Sequence, residues 1–221
     1  MIVNKGSKLT FQRIRNKLVL KKSAPVQRGA AQRLVRWEEE DVMPKKILIL
    51  SASPRKGGNS DSLCDQFMQG ANEAGNQVEK IFLRDKKINY CTGCGACQSN
   101  GGKCVQKDDM AEVLDQMIAA DVIVMATPVY FYTMNGQMKT LIDRTVARYT
   151  VISNKEMYFI MTAATGSRQA LERTLEGFRG FTSCLSGARE QGVIYGTGAW
   201  KMGDIKGGKA MTQAYGMGKK V

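Results

Sequence analysis

Short apolar runs alternate with helix-like stretches from Met43 to the end of the chain. The run from Ile47 to Leu50 is unbroken, which is typical of a strand buried on both faces. Five strands are predicted, at residues 46–51, 77–83, 121–127, 157–162 and 192–196. Helices are predicted at 60–74, 109–119, 136–148, 168–185 and 210–219, the second with capping-box spacing at Asp109 and Glu112. This alternation predicts βαβ units and an α/β fold with a parallel sheet.

Residues 1–42 differ in character from the rest of the chain. They carry ten Lys or Arg against four Asp or Glu, whereas residues 43–221 carry 23 against 16. We therefore predict two parts, a basic extension over 1–42 that is flexible or not part of the core, and one domain over 43–221. The extension could bind nucleic acid or a membrane surface or act as a presequence, but a leader ahead of a start at Met43 is the simpler interpretation. The moderate charge of the body needs only an anionic cofactor, so nucleic acid is not predicted as a partner.

Composition excludes several classes of protein. The chain has no histidine, which removes the usual general base of Ser-His-Asp and Cys-His enzymes and the commonest ligand of catalytic zinc. No apolar run approaches the roughly 20 residues that span a bilayer, so no membrane association is predicted. Four of the six cysteines fall within one short segment, which indicates a local ligand or redox cluster in a reducing cytoplasm.

The loop after the first strand has the residues of a phosphate site. It reads Ser-Ala-Ser-Pro-Arg-Lys-Gly-Gly-Asn-Ser over 51–60 and leads into a helix, whose N-terminus favours anions. It lacks the ending of a Walker A loop and the spacing of a dinucleotide fingerprint. The predicted phosphate donors are Ser51, Ser53, Arg55, Asn59 and Ser60; an ordinary polar turn is the alternative.

The loops after two later strands could hold a flat ring. The strand ending at Thr127 is followed by Pro128, Val129, Tyr130, Phe131 and Tyr132, which offer an apolar wall and backbone polar groups. The segment that begins with Thr162 and Ala163 is a third predicted wall. Ligands of open α/β sheets bind outside the carboxyl ends of the strands, so these loops and the phosphate loop define one predicted crevice.

The clustered cysteines have the spacing of a ligand set. Cys91, Cys94, Cys97 and Cys104 form C-x₂-C-x₂-C-x₆-C in a glycine-rich loop. Four thiolates at this spacing suit one 4Fe-4S cluster, and zinc, a disulfide or free thiols are the alternatives. Cys64 and Cys184 lie in helix-like contexts and are predicted to be buried apolar residues. Trp200, in a glycine-rich segment after the last strand, either covers a ligand or packs the terminal helix on the sheet.

Three motifs together resemble the NADPH-dependent FMN reductase family of flavodoxin-like proteins. They are Ser-x-Ser-Pro-Arg-x-x-x-Asn-Ser at 51–60, Thr-Pro-Val-Tyr-Phe at 127–131 and Met-Lys-x-x-x-Asp-Arg at 138–144. The resemblance covers roughly residues 44–221. It implies a flavodoxin-like three-layer sandwich with a five-stranded parallel sheet in the order 2-1-3-4-5. It also implies FMN at the first and third strand ends, and homodimers or homotetramers in which a neighbouring subunit helps to close the flavin site. The cysteine motif resembles that of iron-sulfur flavoproteins.

The predicted function follows from that resemblance. It is an FMN-dependent NAD(P)H oxidoreductase that passes electrons from reduced nicotinamide to a flavin, a quinone or a similar acceptor, with the chemistry carried by FMN rather than by a catalytic side chain. The alternative is an iron-sulfur flavoprotein that carries electrons between ferredoxin and an acceptor. A nucleic-acid binder is a weaker third interpretation, since much of the charge lies on an extension without interleaved stacking aromatics.

Overall fold

A central sheet of five parallel strands organises residues 43–221, which are the residues that this computed structural model describes; the predicted extension over 1–42 lies outside them. The strands, labelled β1 to β6 in chain order, are Lys46–Ser51, Gln77–Phe82, Val122–Tyr130, Thr133–Met134, Glu156–Thr162 and Arg189–Gly196. The parallel strands lie in the order β2-β1-β3-β5-β6, which is the predicted order, and the two-residue β4 pairs antiparallel with β3. The predicted parallel α/β fold is confirmed, and β4 was not predicted.

Helices cover both faces of the sheet. Labelled α1 to α6, they are Asn59–Glu73, Ala96–Ser99, Met110–Ala119, Gly136–Arg144, Glu172–Ser183 and Lys209–Gly218. Among the described residues, no helix combines the length and the apolar character needed to cross a membrane.

The apolar runs of the strands supply two cores because successive side chains point to opposite faces of a sheet. Leu48 and Leu50 of β1 pack into the core under α3, α4 and α5, whereas Ile47 and Ile49 pack into the core under α1 and α6. In the first core the rings of Phe159 and Phe178 stack with their centroids 4.9 Å apart. The unbroken apolar run is therefore the signature of a strand covered on both sides, as predicted.

Predicted boundaries differ from the observed ones by three residues or more in four elements: β3, two helices and β6, which begins at Arg189 rather than at residue 192. β3 continues to Tyr130 because β4 pairs with its end. The predicted helix 136–148 ends at Arg144 and continues as two separate 3₁₀ turns, and the predicted helix 168–185 begins with a 3₁₀ turn, Arg168–Leu171. The predicted capping box is wrong, since the Asp109 carboxylate accepts the N–H of Lys87 and Glu112 pairs with Lys86.

The last helix packs closely on the first through two glycines. A Cβ on Gly70 of α1 would lie 2.2 Å from the carbonyl oxygen of Tyr215, and a Cβ on Gly218 of α6 would lie 2.1 Å from that of Phe67. Both positions therefore require a residue without a side chain, and this close approach seals the second core.

We predict that Gly70→Ala lowers the free energy of unfolding by about 2 kcal/mol, because the methyl group forces the two helices apart. Gly216→Ala is the matched control, since a Cβ there meets nothing within 4 Å. Relief of the helical glycine should stabilise that variant by about 0.5–1 kcal/mol. Urea denaturation measures both values, and equal stability of the two variants would contradict the observed packing.

Candidate functional site

A cavity of about 680 Å³ opens at the carboxyl ends of β1, β3 and β5. Except for Ser51 and Tyr132, every predicted cofactor-binding residue lines it: Ser53, Arg55, Asn59, Ser60, Pro128, Val129, Tyr130, Phe131, Thr162 and Ala163. Gly58 and Ala164, together with the segment Ala199 to Met202, complete the lining. The structure thus brings four separate sequence segments to one cavity, the three predicted ones and the segment that carries Trp200. Its volume lies within the usual range of roughly 300–1,000 Å³ for cofactor sites.

The N-terminus of α1 forms one end of this cavity. The first N–H groups of a helix have no partner within it, and Gly58, Asn59 and Ser60 bring this end to the cavity. The exposed Arg55 adds a cation, while the Ser53 hydroxyl donates to the carbonyl of Arg55 at 2.7 Å. Such an end suits an anionic group.

Asn59 lines the cavity, but its side chain forms hydrogen bonds with the loop that follows β6. Its amide donates to the carbonyl oxygen of Lys201 at 2.9 Å and accepts the N–H of Gly203 at 3.0 Å. Both polar atoms of the side chain are therefore engaged. Asn59 holds the segment that carries Trp200 against the start of α1, so the backbone N–H is the group that it can offer to an anion.

Ser51 lies apart from the other predicted phosphate donors. It is the last residue of β1, and its side chain is fully buried beneath α1 with its hydroxyl oxygen 3.5 Å from a carboxylate oxygen of Asp61. Ser51 still belongs to β1 and packs against α1, whereas Ser53 lies beyond the end of the strand and lines the cavity.

The aromatic wall is a strained hairpin turn. Phe131 and Tyr132 connect β3 to β4 with φ of 49° and 66°, in the left-handed region that Asn and Gly normally occupy in two-residue hairpins. Phe131 is 99 % exposed at the cavity, but the Tyr132 ring turns outward, with the Arg173 guanidinium 5.8 Å from its centroid. The predicted aromatic wall therefore consists of Tyr130 and Phe131.

Asn135 links the loop after β1 to the loop after β3. It is buried and caps α4 by accepting the N–H of Met138, and its amide nitrogen donates to the carbonyl of Ala52 at 2.5 Å. The hydroxyl of Thr127 also contacts it, at 3.1 Å. This residue was not predicted, although Asn immediately before a helix is a known capping signal.

The segment after β6 closes the remaining side. Backbone bonds from Gly198 to Thr165 and from Ala199 to Ala163 dock it beside the third loop. Trp200 is 72 % exposed at the cavity, so the interpretation in which it packs the last helix on the sheet is wrong. Lys201 adds a second cation, and no Asp or Glu of the described residues lines this cavity.

The four clustered cysteines line a second, smaller cavity of about 110 Å³. Cys91, Cys94, Cys97 and Cys104 face it together with Arg144, and the N–H of Ala96 lowers the pKa of the Cys94 thiol. Within residues 43–221, no three Cys, Asp or Glu side chains are grouped so that they could hold a single metal ion. The four cysteines line one cavity, and four thiolates are the donor set of an iron-sulfur cluster.

A buried ion pair anchors both ends of the cysteine loop. Arg144 pairs with Asp108 at 2.7 Å, and both side chains are almost fully buried. Asn89 is bound on both sides, because its carbonyl accepts from Arg144 and its N–H donates to Asp108. Arg144 also lies 3.6 Å from the sulfur of Cys104.

The two cysteines outside the loop have different environments. Cys64 is fully buried, as predicted, and burial raises the pKa of its thiol. The prediction for Cys184 is wrong, because it lies exposed at the end of α5. Amphipathic helices expose one side, and the last turn of this helix places Cys184 on that side.

Comparison with known proteins shows which class of fold and which family this chain belongs to. Several solved structures share the fold. An azoreductase from Bacillus anthracis has a TM-score of 0.65 at 17% identity, with 80% of this chain and 100% of that chain covered. An NAD(P)H:quinone oxidoreductase from Methanothermobacter marburgensis has a TM-score of 0.62 at 17% identity, with 80% of this chain and 96% of that chain covered. The protein is therefore flavodoxin-like in fold. Residues 45–189 match the model of the NADPH-dependent FMN reductase family, and the chain belongs to that family.

Curated relatives match a shorter segment. An iron-sulfur flavoprotein of Archaeoglobus fulgidus is 43% identical over 99 residues, which are 45% of this chain and 44% of that protein. An iron-sulfur flavoprotein of Methanosarcina thermophila is 39% identical over 101 residues, which are 46% of this chain and 52% of that protein. An FMN-dependent NADH:quinone oxidoreductase of Pseudomonas aeruginosa is 33% identical over 104 residues, and the match covers 38% of this chain and 51% of that protein. The chain spans about half the length of the curated relatives it matches.

We predict that replacing the strained turn by its preferred residues stabilises the fold. The double variant Phe131→Asn/Tyr132→Gly should raise the free energy of unfolding by about 1 kcal/mol, because a left-handed conformation costs most residues roughly 1–2 kcal/mol. Phe131→Ala is the control, since it removes the ring and keeps the strain. Urea denaturation compares the two, and a double variant no more stable than the control would show that the turn is not strained.

We predict that Asp108→Asn destabilises the protein in a pH-dependent way. Burial alone would raise the pKa of Asp108, but hydrogen bonds from Arg144 and from the N–H groups of Asn89 and Met110 outweigh it and lower this pKa. A lowered pKa gives stability that is present above the unfolded value of about 3.9 and is lost as the pH falls through the folded value. The loss at neutral pH should be about 3 kcal/mol, as for a broken buried pair.

Denaturation curves between about pH 7 and about pH 3 should show the gap between wild type and Asp108→Asn closing as the pH falls. Asp143→Asn is the control, because Asp143 forms an exposed pair with Lys139 and should change stability by less than about 0.5 kcal/mol. A gap that stays constant with pH would contradict the role given to the Asp108 carboxylate.

Proposed function

We propose that the protein is an FMN-dependent NAD(P)H oxidoreductase that passes electrons to a flavin, a quinone or a similar acceptor. The observation that carries the proposal is the single cavity in which a helix N-terminus, two cations and an aromatic hairpin meet without a carboxylate. A flavin mononucleotide has a phosphate at one end and a flat ring at the other, which matches this distribution. Family membership and relatives named as FMN-dependent oxidoreductases support the same function.

The residues at the two ends of the cavity have different tasks. The N–H groups of Asn59 and Ser60, the Ser60 hydroxyl and Arg55 would bind the phosphate. Phe131 and Trp200 would cover the ring, and the backbone around Val129 would address its polar edge. The chemistry that FMN would supply there is hydride transfer from reduced nicotinamide and electron transfer to the acceptor. The side chains orient the cofactor and limit access to it.

The open mouth supports an oligomer. Phe131, Trp200 and Met202 expose large apolar side chains around the cavity. Exposed apolar side chains grouped around one cavity are typical of a surface that another chain covers. We propose a homodimer or homotetramer in which a neighbouring subunit helps to close the flavin site. A cytoplasmic location is proposed with it, since thiols such as those of the cysteine loop stay reduced there.

An electron carrier is the second candidate function. Four cysteines line one cavity, and relatives that are 43% and 39% identical over about a hundred residues are named iron-sulfur flavoproteins. The four thiolates would hold a 4Fe-4S cluster, for which four cysteine thiolates are the usual ligands. In this role the protein would take electrons from ferredoxin, and reduced nicotinamide would not be a substrate.

Anaerobic purification, an absorption spectrum, iron analysis and reduction assays separate the two functions. We expect flavin bands that bleach with NADPH or NADH in the oxidoreductase, and bleaching only with reduced ferredoxin in the carrier. About four irons per chain would identify the cluster. Absence of flavin bands even after FMN is added would overturn both candidates.

A cysteine variant and its control test the cluster. Cys104→Ser should lose iron and keep the flavin bands, because the two cavities have no residue in common. Cys184→Ser is the control, since that cysteine is exposed and lies outside the loop, and it should retain both. Equal iron content in the two variants would contradict the assignment of the cysteine loop as the cluster site.

A further inference from the structure

A buried carboxylate lies directly behind the proposed phosphate end of the cavity. Asp61 belongs to the first turn of α1, and its side chain is only 3% exposed. One carboxylate oxygen accepts the N–H of Gly57 at 2.8 Å, and Gly57 has a φ of +70°. Asp61 therefore ties the tight turn of the phosphate loop to the helix that the loop precedes.

This arrangement creates an electrostatic problem. The phosphate of FMN would bind at the N-terminus of α1, whose first turn also carries Asp61. Like charges repel strongly over short distances when protein rather than water lies between them, and burial prevents salt from screening Asp61. The carboxylate that shapes the loop would thus oppose the binding of the ligand.

Lys80 of β2 compensates for that charge. Its ammonium group lies 3.0 Å from the second carboxylate oxygen of Asp61 and also contacts Asp65, and its side chain is only 13% exposed. The ring of Phe82 lies beneath it at 4.6 Å. Burial alone would lower the pKa of Lys80, but its bonds to Asp65 and Asp61 outweigh this and raise it. Lys80 does not line the cavity.

We propose that Lys80 is a positioning residue for cofactor recognition: it neutralises Asp61, so that Asp61 can hold the phosphate loop without repelling the phosphate. The proposal rests on the proposed binding of FMN. It assigns Lys80 a role in distinguishing FMN from riboflavin, which has the same ring and no phosphate. A residue that only supported the packing of β2 would affect both ligands alike.

The test uses the full chain, freed of flavin, with FMN and riboflavin titrated separately and binding followed by flavin fluorescence. Lys80→Met should weaken FMN binding by about tenfold, an order of magnitude set by one uncompensated buried charge near the phosphate. Its riboflavin affinity should stay within about twofold of wild type. Lys80→Arg keeps the charge and should retain FMN affinity. Lys86→Met is the matched control, because it removes the same charge from an exposed pair with Glu112.

A second substitution separates electrostatics from folding defects. Asp61→Asn removes the charge and keeps an oxygen that can accept the Gly57 N–H. In the double variant Asp61→Asn/Lys80→Met, FMN affinity should return to within about twofold of wild type. An equal loss of FMN and riboflavin binding in Lys80→Met, or no recovery in the double variant, would overturn the proposal. If wild type itself binds no FMN, the proposed function fails instead, so the two failures are distinguishable.

Discussion

The hydrogen bond from the Asn135 amide to the carbonyl of Ala52, 2.5 Å long, joins two of the loops that line the candidate flavin cavity. The carboxyl ends of β1 and β3 meet at one edge, but the loops that follow them are connected by no ladder. Asn135 also accepts the N–H of Met138 and contacts the hydroxyl of Thr127, so its buried amide is satisfied on both sides. Since a buried amide that loses its partners is costly, this residue holds the loop before α1 and the aromatic hairpin in one fixed relation.

Two buried carboxylates, those of Asp61 and Asp108, each hold a loop in front of a helix by accepting backbone N–H groups and pairing with a cation. Asp61 accepts a backbone N–H from the turn before α1 and pairs with Lys80. Asp108 accepts backbone N–H groups on both sides of the cysteine loop and pairs with Arg144. In each case the carboxylate is buried, which is tolerable only because a cation neutralises it and N–H groups satisfy its oxygens. Both cavities thus depend on carboxylates that lie behind them rather than in them.

The sequence predicts what depends on burial and on position along a strand. β1 has the predicted bounds because a strand covered on both faces needs an unbroken apolar run. The site loops were found because loops that follow neighbouring parallel strands meet at one edge. The end of β3 was missed because its partner strand depends on a turn of Phe131 and Tyr132, residues that such turns disfavour. The predicted capping box was wrong because the Asp109 carboxylate accepts a hydrogen bond from the N–H of Lys87, which is distant in sequence. Pairings of this kind depend on the tertiary structure, so local spacing does not reveal them.

The two cavities are related through one helix. Asn135 caps the start of α4 and holds the loops of the candidate flavin cavity, whereas Arg144 ends α4 and lies against the sulfur of Cys104. A helix of nine residues is about 14 Å long and does not change length. Buried polar contacts hold each end of α4, so this helix links the loops of the candidate flavin cavity to the cysteine loop. If FMN and a cluster bind as proposed, this helix, anchored at both ends by buried polar contacts, would hold the two sites at one separation within a single subunit.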